Sequence, residues 1–247
     1  MQLLEVVMDL HGKRVIIVGA GSGIGRSVAV AVSRAGASVI LAGRKRDALE
    51  QTGALATGPV HISVLDAVNE AEVEAFFAGT GAFDHLVSTI SQGAAGPVGE
   101  LSASDVQRAM NAKLWAPFFL VKHGRPHIDA AGSFTFFSGI RGARPAARSS
   151  ITSLVNGGLE AFAKAMAVEL GPIRVNVISP GIVDSGPSFW SALGDEARER
   201  MFSDFALRSP ARRVGLPDEQ ADAVLFAIGN PFLTGAVIPV DGGALLM

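Results

Sequence analysis

The chain of 247 residues contains neither cysteine nor tyrosine. The first absence removes disulfides, thiolate metal ligands and cysteine nucleophiles together. The second removes any phenolic acid. No run of about 18 uncharged apolar residues occurs, so nothing predicts a membrane span. Neither sign of charge dominates: 21 Lys and Arg stand against 23 Asp and Glu, interspersed, for a net charge of −2. That balance offers no electrostatic footprint for nucleic acid or an anionic membrane, and suits a small-molecule partner instead. The start, MQLLEVVMDLHGKR, carries Glu5 and Asp9 and lacks a basic front before a long apolar stretch. It does not read as a signal peptide, and a cytoplasmic location is the expectation. Because MDLHGKRVIIVG makes a natural beginning for a first strand, residues 1–8 read as an N-terminal extension with an alternative start at Met8.

What is present is 49% hydrophobic, in a pattern of short β-branched runs separated by Ala-rich amphipathic stretches. The runs are RVIIV (14–18), SVILA (38–42), VHISV (60–64), HLVST (85–89), SFTFF (133–137), RVNVI (174–178) and VIPV (237–240). Apolar strands alternating with helices predict a parallel sheet covered on both faces. The expected architecture is a doubly wound α/β (Rossmann) fold of about seven strands, one domain spanning 1–247. The stretch 184–217 is its one long irregular segment.

After the first run comes Gly19-Ala20-Gly21-Ser22-Gly23-Ile24-Gly25, leading into an Ala/Val-rich helix. Glycines there let the backbone turn tightly and approach a pyrophosphate, which sits on the free N–H groups and positive dipole of the helix start. Strand before and helix after make this a dinucleotide loop rather than a structural turn. The second run ends in Gly43 followed by Arg44, Lys45 and Arg46, where an NAD site commonly places an acidic residue. A guanidinium suits a 2′-phosphate in charge and geometry, which favours NADP(H) over NAD, against a merely solvated basic turn. Asp66, with Ala67 beside it, can accept from the adenine amino group or cap a helix beginning near Val68. The five histidines, of which only His123 and His127 are close and Pro126 lies between them, suggest no metal site.

These features, with GLEAFAKAMAVELGPIRVNVISPGIVDS and FLTGAVIPVDGG, resemble the short-chain dehydrogenase/reductase family over residues 9–247. The resemblance implies an NADP(H)-dependent oxidoreductase acting on a carbonyl or alcohol, assembled as a homotetramer or dimer. It places Ser88, Pro180, Gly181, Ile182 and Ser185 beside the cofactor. It also implies a catalytic Ser, Tyr and Lys, aided by an Asn on an earlier helix. The Tyr position falls here on Thr152, the Lys position on Asn156, and the Asn position on Lys113. Strict spacing puts the serine position on Gly139, with Ser138 one residue before it and able to serve as the site serine or as a strand-end turn residue. Asn and Lys are thus exchanged, and Lys113 is a candidate proton donor if buried, or an interfacial lysine with a solvated head if not.

Arg141, Arg144 and Arg148, ahead of the long helix, form a candidate anchor for a substrate carboxylate or phosphate, or a solvated basic loop. Residues 184–217, with Phe189, Trp190, Leu193, Phe202 and Phe205, are the expected substrate-covering region, which fits an apolar or aromatic substrate. Core packing is the other reading of Phe202 and Phe205. Gly157 and Gly158 would permit close helix approach between subunits. Two functions follow: an NADP(H)-dependent oxidoreductase with a non-standard proton-transfer site, or an NADP(H)-binding protein without redox activity, a cofactor sensor or silent subunit.

Overall fold

The computed structural model describes residues 8–186, 190 and 193–247. The extension 1–7 and Phe189 lie outside them. Seven strands form one parallel sheet in the order β3-β2-β1-β4-β5-β6-β7. They are β1 (Arg14–Val18), β2 (Ser38–Gly43), β3 (Val60–Val64), β4 (Phe83–Ser88), β5 (Ile128–Phe137), β6 (Arg174–Pro180) and β7 (Val237–Val240). The helices are α1 (Gly23–Arg34), α2 (Arg46–Gly53), α3 (Glu70–Thr80), α4 (Ala103–Met110), α5 (Ala116–Gly124), α6 (Ser150–Glu169), α7 (Asp195–Arg208) and α8 (Pro217–Gly229). A π-helical turn, Asn111–Trp115, joins α4 to α5.

Strand alternation divides the core into two layers. Ile16, Val18, Ile40 and Leu86 face Phe77 of α3, Leu120 of α5 and Leu159 of α6. Val15, Ile17, Leu41 and Val87 face Val28 and Val32 of α1 and Val224 of α8. Both faces being covered explains why the central strands read as continuous apolar runs. The strand order reverses between β1 and β4. A crevice therefore opens at their carboxyl ends, the usual ligand position in an open α/β sheet.

The structure sharpens three sequence expectations. The segment 184–217 is not irregular throughout, since α7 occupies Asp195–Arg208. Phe205 on it is buried against Ile140 and Ala244, which decides for core packing, whereas Phe202 meets Trp190 edge-on. Helix α3 begins at Glu70 and is capped by Asn69, whose side chain accepts from the N–H groups of Ala71 and Glu72, so Asp66 is not the cap. Finally, a Cβ on Gly158 would stand 3.0 Å from Leu114, so the small residue there admits the π-helical turn of its own chain.

Candidate active site

The cleft at the carboxyl end of the sheet has a volume of about 660 Å³. Its floor is the loop from Gly19 to Gly25. Gly19 has φ +92° and Gly23 φ +50°, left-handed values that a side chain would strain. A Cβ on Gly25 would clash with the Gly19 carbonyl oxygen, so that glycine is what lets α1 sit tightly against the end of β1. Ser22, the N-cap residue, makes no side-chain cap, and the first turn of α1 carries no acidic residue. The helix start thus offers uncapped N–H groups and an uncompensated positive dipole to the cleft. The loop is braced from behind: Arg26 donates to the Gly21 carbonyl at 2.8 Å, and Thr52 Oγ1 to the Ala20 carbonyl at 2.9 Å.

Gly21, Ser22, Gly23, Ile24, Arg44, Lys45, Asp66 and Ala67 all line this half of the cleft. Arg44 and Lys45 are exposed and form no ion pair among the described residues, while Arg46 turns back to Glu50 at 3.9 Å. Ser88 does not line the cleft. It is the last residue of β4, buried between Val18 and Phe136, and the next residue, Thr89, presents to the cleft instead. Thr89 Oγ1 is 3.3 Å from the carbonyl oxygens of both Val18 and Gly19, and a Cβ on Gly19 would reach within 2.6 Å of it.

At the other half, Pro180, Gly181 and Ser185 line the cleft, but Ile182 packs away from it and Val183 takes its place. Lys113 also lines it, at only 4% exposure. The π-helical turn holds its side chain inward, where Nζ donates to the carbonyls of Phe137 at 2.6 Å and Ser138 at 3.1 Å. Burial pushes its pKa down to about 8. Both partners accept only, so an ammonium keeps a third N–H free of them, and a neutral amine still satisfies both.

The remaining candidates are arranged less simply. Ser138 lines the cleft, yet its hydroxyl donates to Glu160 on α6 at 2.7 Å. Glu160 carries no motif that would have singled it out; Gly142, where a Cβ would stand 2.8 Å from its carboxylate, admits it. Thr152 is not in the cleft lining, and its hydroxyl donates to the Ala94 carbonyl at 3.0 Å. Asn156 is 4% exposed and its Oδ1 finds no partner among the described residues. Its Nδ2 would lie 3.2 Å from a Cβ on Gly139, which does line the cleft. No side chain stands at position 139 to occupy that space.

Comparison with known proteins agrees with this architecture. The family model described as enoyl-(acyl carrier protein) reductase matches residues 19–244. L-xylulose reductase of Bos taurus is 30% identical over 96% of this chain and 99% of its own length. Tetrahydroxynaphthalene reductase of Pyricularia oryzae is 28% identical over 96% of this chain and 91% of its own. A solved small-chain dehydrogenase in complex with NADPH superimposes with a TM-score of 0.80 at 31% identity, over 95% of this chain and 99% of that one. With a glycine-floored cleft at the switch point of a seven-stranded parallel sheet, and relatives matched along nearly their whole length, the chain belongs to the short-chain dehydrogenase/reductase family.

Proposed function

We propose that the protein is an NADP(H)-dependent oxidoreductase of small carbonyl or alcohol substrates in which Lys113 takes the part of the missing phenolic acid. Three features fit the cofactor. The helix start is uncapped, glycines stand where Cβ atoms would fill the floor, and Arg44 and Lys45 at the rim form no ion pair among the described residues. Gly19–Gly25 would hold the pyrophosphate, Arg44 and Lys45 the 2′-phosphate, Asp66 the adenine amino group, and Pro180, Gly181 and Ser185 the nicotinamide side. The solved small-chain dehydrogenase in complex with NADPH supports the choice of cofactor. When bound, NADPH supplies a hydride.

The observation that carries the catalytic reading is the Lys113 geometry. Its ammonium lies at the cleft with two hydrogens on the carbonyls of Phe137 and Ser138 and a third to give. In carbonyl reduction Lys113 would hand that third proton to the substrate oxygen. Lys113 is left neutral and still bonded to both carbonyls, and solvent reprotonates it. A pKa near 8 matches an acid working around neutrality. Thr152 is poorly placed for the same work, because its hydroxyl proton is held by Ala94. Gly139 has nothing to offer.

The test is steady-state reduction of a carbonyl panel with NADPH. Turnover should fall about tenfold per pH unit above pH 8. Lys113→Met should lower kcat by about 10²- to 10⁴-fold while leaving the NADPH dissociation constant within threefold. Unchanged turnover would sink the assignment. Tight NADPH binding with no turnover by the wild type would instead favour the second reading, a cofactor-binding protein without redox chemistry. That reading draws on the loss of a side chain at 139 and of charge at 156. For assembly, the exposed apolar residues Trp115, Phe118 and Leu154 offer a face to a second copy, which sedimentation of a Leu154→Glu variant as monomer would support.

A further inference from the structure

Beyond the cofactor cleft, the loop leaving β5, helix α7 and the C-terminal turn meet. Ile140, Phe205 and Ala244 bury one another at that junction. An arginine attends each. Arg141 follows Ile140, Arg208 stands one helical turn beyond Phe205, and Arg144 donates to the Ala244 carbonyl at 2.5 Å. Arg141 also points to the Arg144 carbonyl at 3.4 Å, a weak contact. Burial, together with the charges of Arg144 and Arg208, lowers the proton affinity of Arg141.

Nothing acidic answers these three charges among the described residues. Of the other arginines on or just beyond α7, Arg198 pairs with Asp195, Arg200 with Glu196 and Arg213 with Glu219, while Arg212 donates to the Leu207 carbonyl. Arg208 reaches only the backbone carbonyl of Asp204, not its carboxylate. Asp241, on the C-terminal turn, spends its carboxylate on the N–H groups of Gly243 and Leu245. Each guanidinium carries five N–H donors, so these contacts leave most of them without a partner among the described residues. Arg148, grouped with Arg141 and Arg144 in the sequence, is exposed with φ +66°, and its carbonyl serves Gly96. The third member is therefore Arg208, some 60 residues further along in α7.

We propose that Arg141, Arg144 and Arg208 form an oxyanion site for a carboxylate or phosphate group, next to the substrate end of the cleft. Arg141 and Arg144 are partly buried and Arg208 is exposed beside them, so their like charges repel until an anion joins them, and a planar guanidinium matches a two-oxygen ligand bidentately. Gly139, at the cleft, is two residues from Arg141, at most about 7 Å of chain. An acid group a few bonds from the reacting carbon of a substrate, or a free anion, would supply the same chemistry.

The experiment is a thermal-melt titration with inorganic phosphate against chloride at matched ionic strength, with and without saturating NADPH. The saturated arm prevents phosphate from reporting on the Gly19–Gly25 loop, and the nucleotide-free comparison between variants stands even if the cofactor reading fails. Phosphate should raise the wild-type Tm by several degrees more than chloride. That rise should vanish in Arg141→Gln and Arg208→Gln, and both variants should melt above the wild type in phosphate-free buffer, because repulsion is relieved. Absence of a phosphate-specific rise, or its survival in both variants, overturns the site. A merely structural arginine would instead lower Tm when replaced, whatever the anion. Carbonyl substrates tested as free acid and methyl ester then separate the sources. Arg208→Gln raising KM at least tenfold for the acid alone assigns the site to the substrate, and no change in either KM assigns it to a free anion.

Discussion

Burying an ammonium that contacts no carboxylate among the described residues leaves a signature in stability as well as in catalysis. The Lys113 pKa is about 8 in the fold against an ordinary 10.5. Between those values the unfolded chain binds the extra proton and the folded one does not, so stability rises as pH rises. Below pH 8 both states are protonated and the full desolvation cost is present; above 10.5 it is gone. At 1.36 kcal/mol per unit, the wild type should gain about 2 to 3 kcal/mol between pH 7 and pH 10 from this group alone. Lys113→Met fills the same space without the charge. It also strips the donor from the carbonyls of Phe137 and Ser138, which costs about 1–3 kcal/mol for each that stays dry, independent of pH. The measurement is urea denaturation of both proteins, without nucleotide, at unit intervals from pH 7 to 10. The difference in unfolding free energy, wild type minus variant, should climb by about 2 to 3 kcal/mol, mostly above pH 8. Parallel curves would show that the ammonium is solvated, and the proposed acid would lose its physical basis.

Arg44→Ser with Lys45→Ala should weaken NADPH binding by about 10- to 100-fold and leave NADH binding within twofold, because charge-assisted contacts to the 2′-phosphate are all that is removed; equal losses for both nucleotides in a fluorescence titration would refute this. Gly25→Ala should abolish nucleotide binding and lower Tm, since its Cβ meets the Gly19 carbonyl and Thr89 Oγ1, and a variant that binds NADPH normally would contradict the packing described. His85, bonded to Ser133 at 2.9 Å, has its pKa lowered by burial from 6.5 to about 4. Its folded-state pKa being depressed, the imidazole stays neutral in the fold while the unfolded chain protonates. Stability should therefore hold above pH 6.5, fall by up to about 3 kcal/mol on going down to pH 4, and lose that slope in His85→Gln, as acid denaturation would record.

How far the sequence foretold this follows the range of the interactions involved. The Gly19–Gly25 loop and the seven strands are local, set by glycine placement and β-branched runs, and they lie where residue patterns put them. Small displacements arise where nearby residues compete for one task. Asn69 rather than Asp66 caps α3, because helical geometry begins at Glu70. Thr89 rather than Ser88, and Val183 rather than Ile182, line the cleft, because successive side chains of extended backbone point to opposite sides just beyond the strand ends. Contacts that cross the fold were not legible at all. Glu160 reaches Ser138 across 22 positions, and Phe205 of α7 folds back to pack on Ile140.

Lys113 shows what lies between these limits. The family resemblance placed it at the position of the assisting Asn, but spacing is silent on whether a lysine there buries its head or snorkels to water. The π-helical turn decides the matter. A π-bulge rotates the residues that follow it relative to a regular helix, and here it sets Leu114 against Gly158 and aims Lys113 at the end of β5. The same turn therefore links two features that look independent in the sequence, a glycine on α6 and a lysine exchanged onto the preceding helix. Enlarging Gly158 should act on catalysis through Lys113. Gly158→Val, which presses on Leu114, should shift the pH at which turnover declines without altering NADPH affinity. A loss of nucleotide binding with an unmoved pH profile would show that the two helices are not coupled in this way.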